Sequence, residues 1–117
     1  MSEITVYEKP TCTKCRQLNA LLTERGIDFD RVNFHIDPLS AQQIADLLGK
    51  AGLRPRDALR TNEAAYKELD LGRREVSDEE LIGLMAEHPE LLQRPIVVRG
   101  DRAVLARPTE AVLALLD

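Results

Sequence analysis

The sequence has no apolar run near the ~18 residues needed to span a bilayer, and it has no internal repeats or low-complexity tracts. Met1-Ser2-Glu3 has none of the basic and apolar character of a secretory leader. Basic charge is not in excess: 16 Lys and Arg stand against 20 Asp and Glu, a net charge of −4. That balance argues against general binding to nucleic acid or to an anionic membrane. Cysteine is scarce, with two residues among 117, so no disulfide framework holds the chain together. None is needed, because a domain of this length buries roughly two-thirds of its unfolded surface. Apolar content of 44% and charged content of 31% are those of a soluble globular protein. The expectation is one α/β domain over residues 1–117, cytoplasmic and monomeric, with no bound cofactor or metal.

Both cysteines lie in one stretch, Tyr7-Glu8-Lys9-Pro10-Thr11-Cys12-Thr13-Lys14-Cys15-Arg16. Ile4 to Tyr7 ahead of them is β-branched and apolar, a strand by composition. Leu18, Leu21 and Leu22 behind them recur at helical spacing. The C-x-x-C pair therefore sits where a strand feeds a helix. A thiol at a helix N-terminus meets unpaired backbone N–H groups and the positive end of the helix dipole, which favour the thiolate. Lys9, Lys14 and Arg16 push the same way. Cys12, ahead of the helical run, is the expected nucleophile, and Cys15, one turn on, is near enough to close a disulfide with it. A structural staple is a poor reading, since so short a loop restrains little chain. A zinc site needs two further ligands, and the only histidines, His35 and His88, are not spaced for one. A redox or thiolate site remains.

Further along, Asp28 to Phe34 alternates as a second strand, parallel to the first through a right-handed crossover. Ser40 with Gln43 is a capping box opening a helix that ends near Gly49 or Gly52. Leu53 to Leu59 reads as a loop. Its Arg54 and Arg56 read as a solvated basic face. A short helix from Glu63 to Leu69 should stop at Gly72, and Ser77 to Glu80 is a second capping box for a helix to about Glu87. A short turn follows Pro89. Ile96-Val97-Val98 is a buried strand, Gly100-Asp101 a turn, and Ala103 to Ala106 the return strand of a hairpin. Pro108 suits the first turn of a last helix that turns Val112, Leu113, Leu115 and Leu116 inward. The order is βαβ, then helices over about 39–92, then ββα: a four-stranded mixed sheet with a helical insertion between its halves.

A C-x-x-C after the first strand and a proline before the third resemble the thioredoxin arrangement, in which Pro95 would be a cis-proline beside the thiol. The resemblance is closer still to the arsenate reductase-like proteins of the thioredoxin fold, which include the Spx-type regulators. It rests on Tyr7 to Arg16, on Leu59-Arg60-Thr61, on His88-Pro89-Glu90-Leu91-Leu92-Gln93-Arg94-Pro95-Ile96 and on Ala106-Arg107-Pro108. In the glutaredoxin-dependent reductases three arginines assist the nucleophile, and the matching positions hold Arg60, Arg94 and Arg107. Guanidinium groups suit that role, because a thiolate approaching arsenate meets like charge, and forked donors that stay cationic offset it.

The resemblance implies reduction of arsenate by a Cys12 thiolate. The second thiol is glutathione with glutaredoxin, or Cys15 as resolving thiol with thioredoxin or glutaredoxin restoring the pair. Two positions depart from the family pattern. Glu8 stands where histidine is usual, and a carboxylate there would raise the thiol pKa. Cys15 stands where serine is usual, while Spx-type proteins carry C-x-x-C. Two alternatives therefore stay open: a redox-sensing regulator that binds RNA polymerase, and a thiol reductase of another substrate on the same fold.

Overall fold

The computed structural model describes residues 3–9 and 11–116. Met1, Ser2 and Pro10, used above in the leader and active-stretch readings, lie outside the described residues. β1 (Ile4–Glu8) alternates, burying Ile4, Val6 and Glu8 on one face and half-burying Thr5 and Tyr7 on the other. It is the central strand. β2 (Asp30–Asn33) runs parallel to it, and β3 (Ile96–Arg99) antiparallel on its other side. β4 (Arg102–Leu105) extends the sheet beyond β3, in the order β2-β1-β3-β4. This is the mixed sheet expected.

One face of the sheet presents Ile4, Val6, Val97 and Val104. It is covered by α1 (Thr13–Glu24), through Leu18 and Leu22, and by the C-terminal segment through Val112 and Leu115. The other face presents Tyr7, Ile96, Val98, Ala103 and Leu105, and packs on the helical insertion through residues such as Phe34, Ile44, Leu81 and Met85. The insertion holds α2 (Ala41–Ala51), α3 (Ala64–Glu68) and α4 (Asp78–Glu87). Among the described residues no helix is long and apolar enough to cross a membrane.

Local chemistry accounts for most of the boundaries. The Ser40 capping box forms on both sides: Gln43 N–H donates to Ser40 Oγ at 3.1 Å and Ser40 N–H to Gln43 Oε1 at 2.9 Å. α2 ends at Gly52, whose φ of 68° places it in the left-handed region that suits glycine. The box at Ser77 forms only on the Ser77 side, where Oγ accepts from Glu80 N–H at 3.0 Å. The Glu80 carboxylate meets Arg74 instead, at 3.0 Å.

Five expectations need correction. β2 pairs only over Asp30–Asn33, because the chain turns after it and carries Phe34 into the core. The stretch read as a loop contains a 3₁₀ turn, Pro55–Ala58, where Asp57 Oδ2 accepts from Arg54 N–H at 2.9 Å. Arg56, read as merely solvated, donates to the carbonyls of Leu71 and Arg74 at 2.9 and 3.0 Å. α3 is broken at Asp70, with φ 54°, ahead of Gly72. The last helix is 3₁₀ over Thr109–Leu115, not α. Its two buried residues, Val112 and Leu115, are three apart, which is the 3₁₀ repeat, while Leu113 and Leu116 stay half-buried.

Candidate active site

Three chain segments meet at one end of the sheet. One leaves β1 and leads to Cys12; one enters β3 through Arg94 and Pro95; one leaves β4 through Ala106 and Arg107. The register Tyr7 to Ile96 and Ile96 to Leu105 sets them side by side. Ala106 N–H donates to Pro95 C=O at 3.0 Å and ties the last two together. The Arg94–Pro95 peptide is cis, as expected of Pro95; the Arg107–Pro108 peptide is cis as well, which nothing in the sequence pattern announced.

Cys12 is the N-cap of α1, with extended backbone (φ −78°, ψ 127°). Its N–H donates to Lys9 C=O at 2.9 Å and its C=O accepts from Arg16 N–H at 3.0 Å. The thiol is partly exposed. Cys15 is fully buried, lies 3.3 Å from Cys12, and both thiols are free. Arg107 Nη2 stands 3.8 Å from Cys12 Sγ, while Arg107 Nε donates to the Arg94 carbonyl at 2.7 Å. Arg94 is 6% exposed, and its Nε and Nη1 are buried with no hydrogen-bond partner.

The two thiols are driven apart. Burial raises the Cys12 pKa, but the Cys15 N–H, the Cys15 thiol, the Arg94 side chain and the Lys14 N–H outweigh it and bring the group down to about 7. Burial pushes Cys15 up to about 12, opposed by a backbone bond to Lys9 and reinforced by Cys12 and by the charge of Glu8. Cys12 is thus the more easily ionised of the two thiols, and Cys15 the one held protonated. Lys14 and Arg16, expected to help by charge, have exposed side chains; the Lys14 contribution comes through its backbone N–H. Glu8, expected to oppose ionisation of the nucleophile, acts on Cys15.

Arg60 is placed differently from the other two arginines. Its Nε meets Glu63 at 3.1 Å and its Nη1 meets Gln93 at 3.3 Å. The Leu59–Leu92 bridge, with Arg60 N–H on Leu91 C=O at 2.7 Å, sets it against the segment that carries Arg94. The structure thus brings Cys12, Cys15, Arg94, Arg107 and Pro95 together and leaves the Arg60 guanidinium on Glu63 and Gln93.

One residue, His35, went unrecognised as a neighbour of the site, and for another, Glu8, the burial and partners went unread. His35 has both ring nitrogens buried and unpartnered. Burial lowers its pKa first, then the charges of Arg94 and Lys9, with Glu90 and Glu63 opposing. Nothing in the sequence pattern marks it. Glu8 is 1% exposed and takes two bonds from Arg31 and one from Asn19; the strand period, which puts it on the face of Ile4 and Val6, was the available signal. Among the described residues no three His, Cys, Asp or Glu side chains converge as a metal site would require.

The chain is similar to an arsenate reductase of Neisseria meningitidis serogroup A, 36% identical over 99% of this chain and 100% of the relative. It is also similar to an arsenate reductase of Yersinia enterocolitica, 38% identical over 99% of this chain and 82% of the relative. Among solved structures it matches an arsenate reductase from Vibrio cholerae at TM-score 0.90 and 38% identity, covering 95% of each chain. The fold is thioredoxin-like. The family model described as the ArsC family matches residues 7–115, and on these matches the chain belongs to the ArsC family.

Proposed function

We propose that this protein reduces arsenate to arsenite in the cytoplasm, with Cys12 as the nucleophile and an external thiol as reductant. The observation that carries this reading is Arg94: a buried guanidinium beside the one easily ionised thiol, with two N–H-bearing nitrogens bonded to nothing. Unpaired buried charge donors are costly, and a tetrahedral oxyanion relieves that cost. Cys12 thiolate attacks arsenic, an arsenate oxygen takes up a proton and leaves as water, and a sulfur–arsenic bond forms. Arg94 and Arg107 hold the remaining oxygens; Arg60 joins them by exchanging Glu63 or Gln93 for the substrate. A second thiol then attacks. The two sulfurs end as a disulfide and arsenic keeps the sulfur–arsenic bonding pair, leaving as arsenic(III); from monohydrogen arsenate, the Cys12 thiolate and a neutral second thiol, three protons are taken up overall as water and arsenous acid form. Glutathione supplies the second sulfur and glutaredoxin restores Cys12. Lys14 and Arg16 lend the entrance positive charge, and Pro95 fixes the chain beside the thiol.

The test is arsenate-dependent oxidation of NADPH coupled through glutathione reductase, glutathione and glutaredoxin. Wild type should turn over, and Cys12→Ser should lose activity by at least about a thousandfold, since a serine hydroxyl does not ionise at neutral pH. Turnover retained in the serine variant would remove Cys12 from the role. No arsenate turnover, together with recovery of RNA polymerase on immobilised protein, would favour the regulatory alternative.

A further inference from the structure

Beneath Cys15 the inner face of β1 ends on a carboxylate. Strand alternation puts Glu8 on the face of Ile4 and Val6, which packs against α1, and it is 1% exposed. Asn19 lies one turn beyond Cys15 on that helix and donates Nδ2 to Glu8 Oε1 at 3.1 Å. Arg31 comes from β2, where it is paired with Val6 across the strands. It grips Glu8 Oε2 with Nε at 3.0 Å and Nη2 at 2.7 Å. Arg31 is 51% exposed while Glu8 is enclosed, so the pair is polarised: its cation lies toward solvent and its anion toward the thiol. Cys15 and Arg31 also feel each other's charge, so all three groups form one cluster. Cys12 on the same helix and a Lys9 backbone bond complete the surroundings of Cys15.

We propose that Glu8 is a positioning residue that adds its charge to burial in keeping Cys15 a neutral thiol, so that Cys15 donates its S–H to the Cys12 thiolate and does not compete as an attacking sulfur. The adduct on Cys12 is thereby left to an external thiol. Arg31 sets the strength of the effect: it offsets part of the carboxylate's field and keeps the buried charge in place. The inference rests on Cys12 being the nucleophile, and it explains why two thiols within bonding reach need not close on each other.

The test uses thiols alone, so its failure is separable from failure of the arsenate reading. Cys12 is converted to a mixed disulfide with a chromogenic aromatic thiol. Cys15 thiolate then attacks the Cys12 sulfur, the mixed S–S bond breaks, the Cys12–Cys15 bond forms, and the coloured aromatic thiolate leaves while the Cys15 proton goes to buffer. The release rate follows the ionised fraction of Cys15. Glu8→Gln should speed release severalfold, up to about tenfold for one unit of easier ionisation, since burial still holds most of the shift. Arg31→Gln should slow it, because the carboxylate is then less offset. Opposite signs are the signature, since mere loosening of the site would speed both. Equal rates in all three proteins, or acceleration in both variants, would overturn the proposal. Should Glu8→Gln fail to fold by circular dichroism, Arg31→Gln decides alone: slower release supports the proposal, and unchanged or faster release ends it.

Discussion

Arg31 and Arg94 each bring a guanidinium to one of the two thiols at the start of α1, and the protein treats them in contrary ways. Arg31 is 51% exposed and has its Nε and Nη2 on the Glu8 carboxylate. Arg94 is 6% exposed, and its Nε and Nη1 have no partner. A cation at the surface is easily served by water and needs no carboxylate; a cation in the interior needs one and has none. An unsatisfied buried polar group costs on the order of 1–3 kcal/mol, and a charged one more. Such a cost persists where function uses the unpaired group. The satisfied arginine is therefore part of the floor, and the unsatisfied one is the seat for an anion that arrives with the substrate. The thiols divide the same way: Cys12 beside Arg94 comes down to about 7, and Cys15 above Glu8 goes up to about 12.

The contrast breaks most visibly under paired substitutions. Arg94→Leu should reduce kcat/KM for arsenate by roughly a hundred- to a thousandfold, the range for removing one preorganised oxyanion donor. Its urea midpoint should change little, because the buried Nε and Nη1 it removes have no partner, which offsets loss of the bond that Arg94 gives Cys12. Arg31→Leu should do the reverse. It strands the Glu8 carboxylate and should cost about 1–3 kcal/mol of stability, below the fully buried range because Arg31 is half exposed. Its arsenate kinetics should stay within a few-fold of wild type. Equal losses of rate and stability in both variants would erase the distinction. Arg107→Ala should fall between, near tenfold in kcat/KM, since its nearest contact with Cys12 Sγ is long at 3.8 Å and its other bond is to the Arg94 carbonyl.

How far this contrast could be read ahead of the structure follows from the range of each interaction. The strand-to-helix turn at Cys12 and the capping box at Ser40 are set by residues within four positions of one another, and both were legible. The cis bond at Pro95 was legible only through its place before β3. Glu8 meets Arg31 from 23 positions away and Arg107 meets the Arg94 carbonyl from 13 away; no local pattern encodes either. The charge of Glu8 was visible, but which thiol it would act on depended on the packing of α1 over β1. The Arg60 side chain shows the converse limit. Family resemblance gives its role and the structure gives its present partner, Glu63, three residues on, which no family pattern announced. The 3₁₀ form of Thr109–Leu115 was hidden for a simpler reason: spacings of three occur in both helix types.

Titration of the nucleophile sharpens the comparison of the thiols without any mutation. Alkylation of Cys12, followed site by site, should rise with pH through a midpoint near 7, while Cys15 stays unreactive across the same range. Because the folded Cys12 pKa lies below its ordinary value of 9.0, ionisation also favours the fold. That contribution is fully present above about 9 and is lost as pH falls through about 7. Cys15 reacting first at neutral pH would reverse the assignment of roles.

The smallest expected effect belongs to His35, and it distinguishes the two arginines once more. Both ring nitrogens are buried without hydrogen-bond partners, and its pKa is lowered by burial and then by the charges of Arg94 and Lys9. The folded state therefore resists taking up a proton that the unfolded chain accepts from about pH 6.5 downward. The unfolded state binds more protons over that window, so stability must fall as pH drops through it, and no effect should be present above it. Urea midpoints at about pH 7.5 and about pH 5.5 measure the loss. His35→Gln should shrink it, since the ring no longer titrates. Arg94→Leu should shrink it in part, by removing one of the charges that repel the proton. Arg31→Leu should not shrink it, because Arg31 is not among the charges that act on the ring. An acid loss of equal size in wild type and His35→Gln would place its origin elsewhere and detach His35 from the Arg94 side of the site.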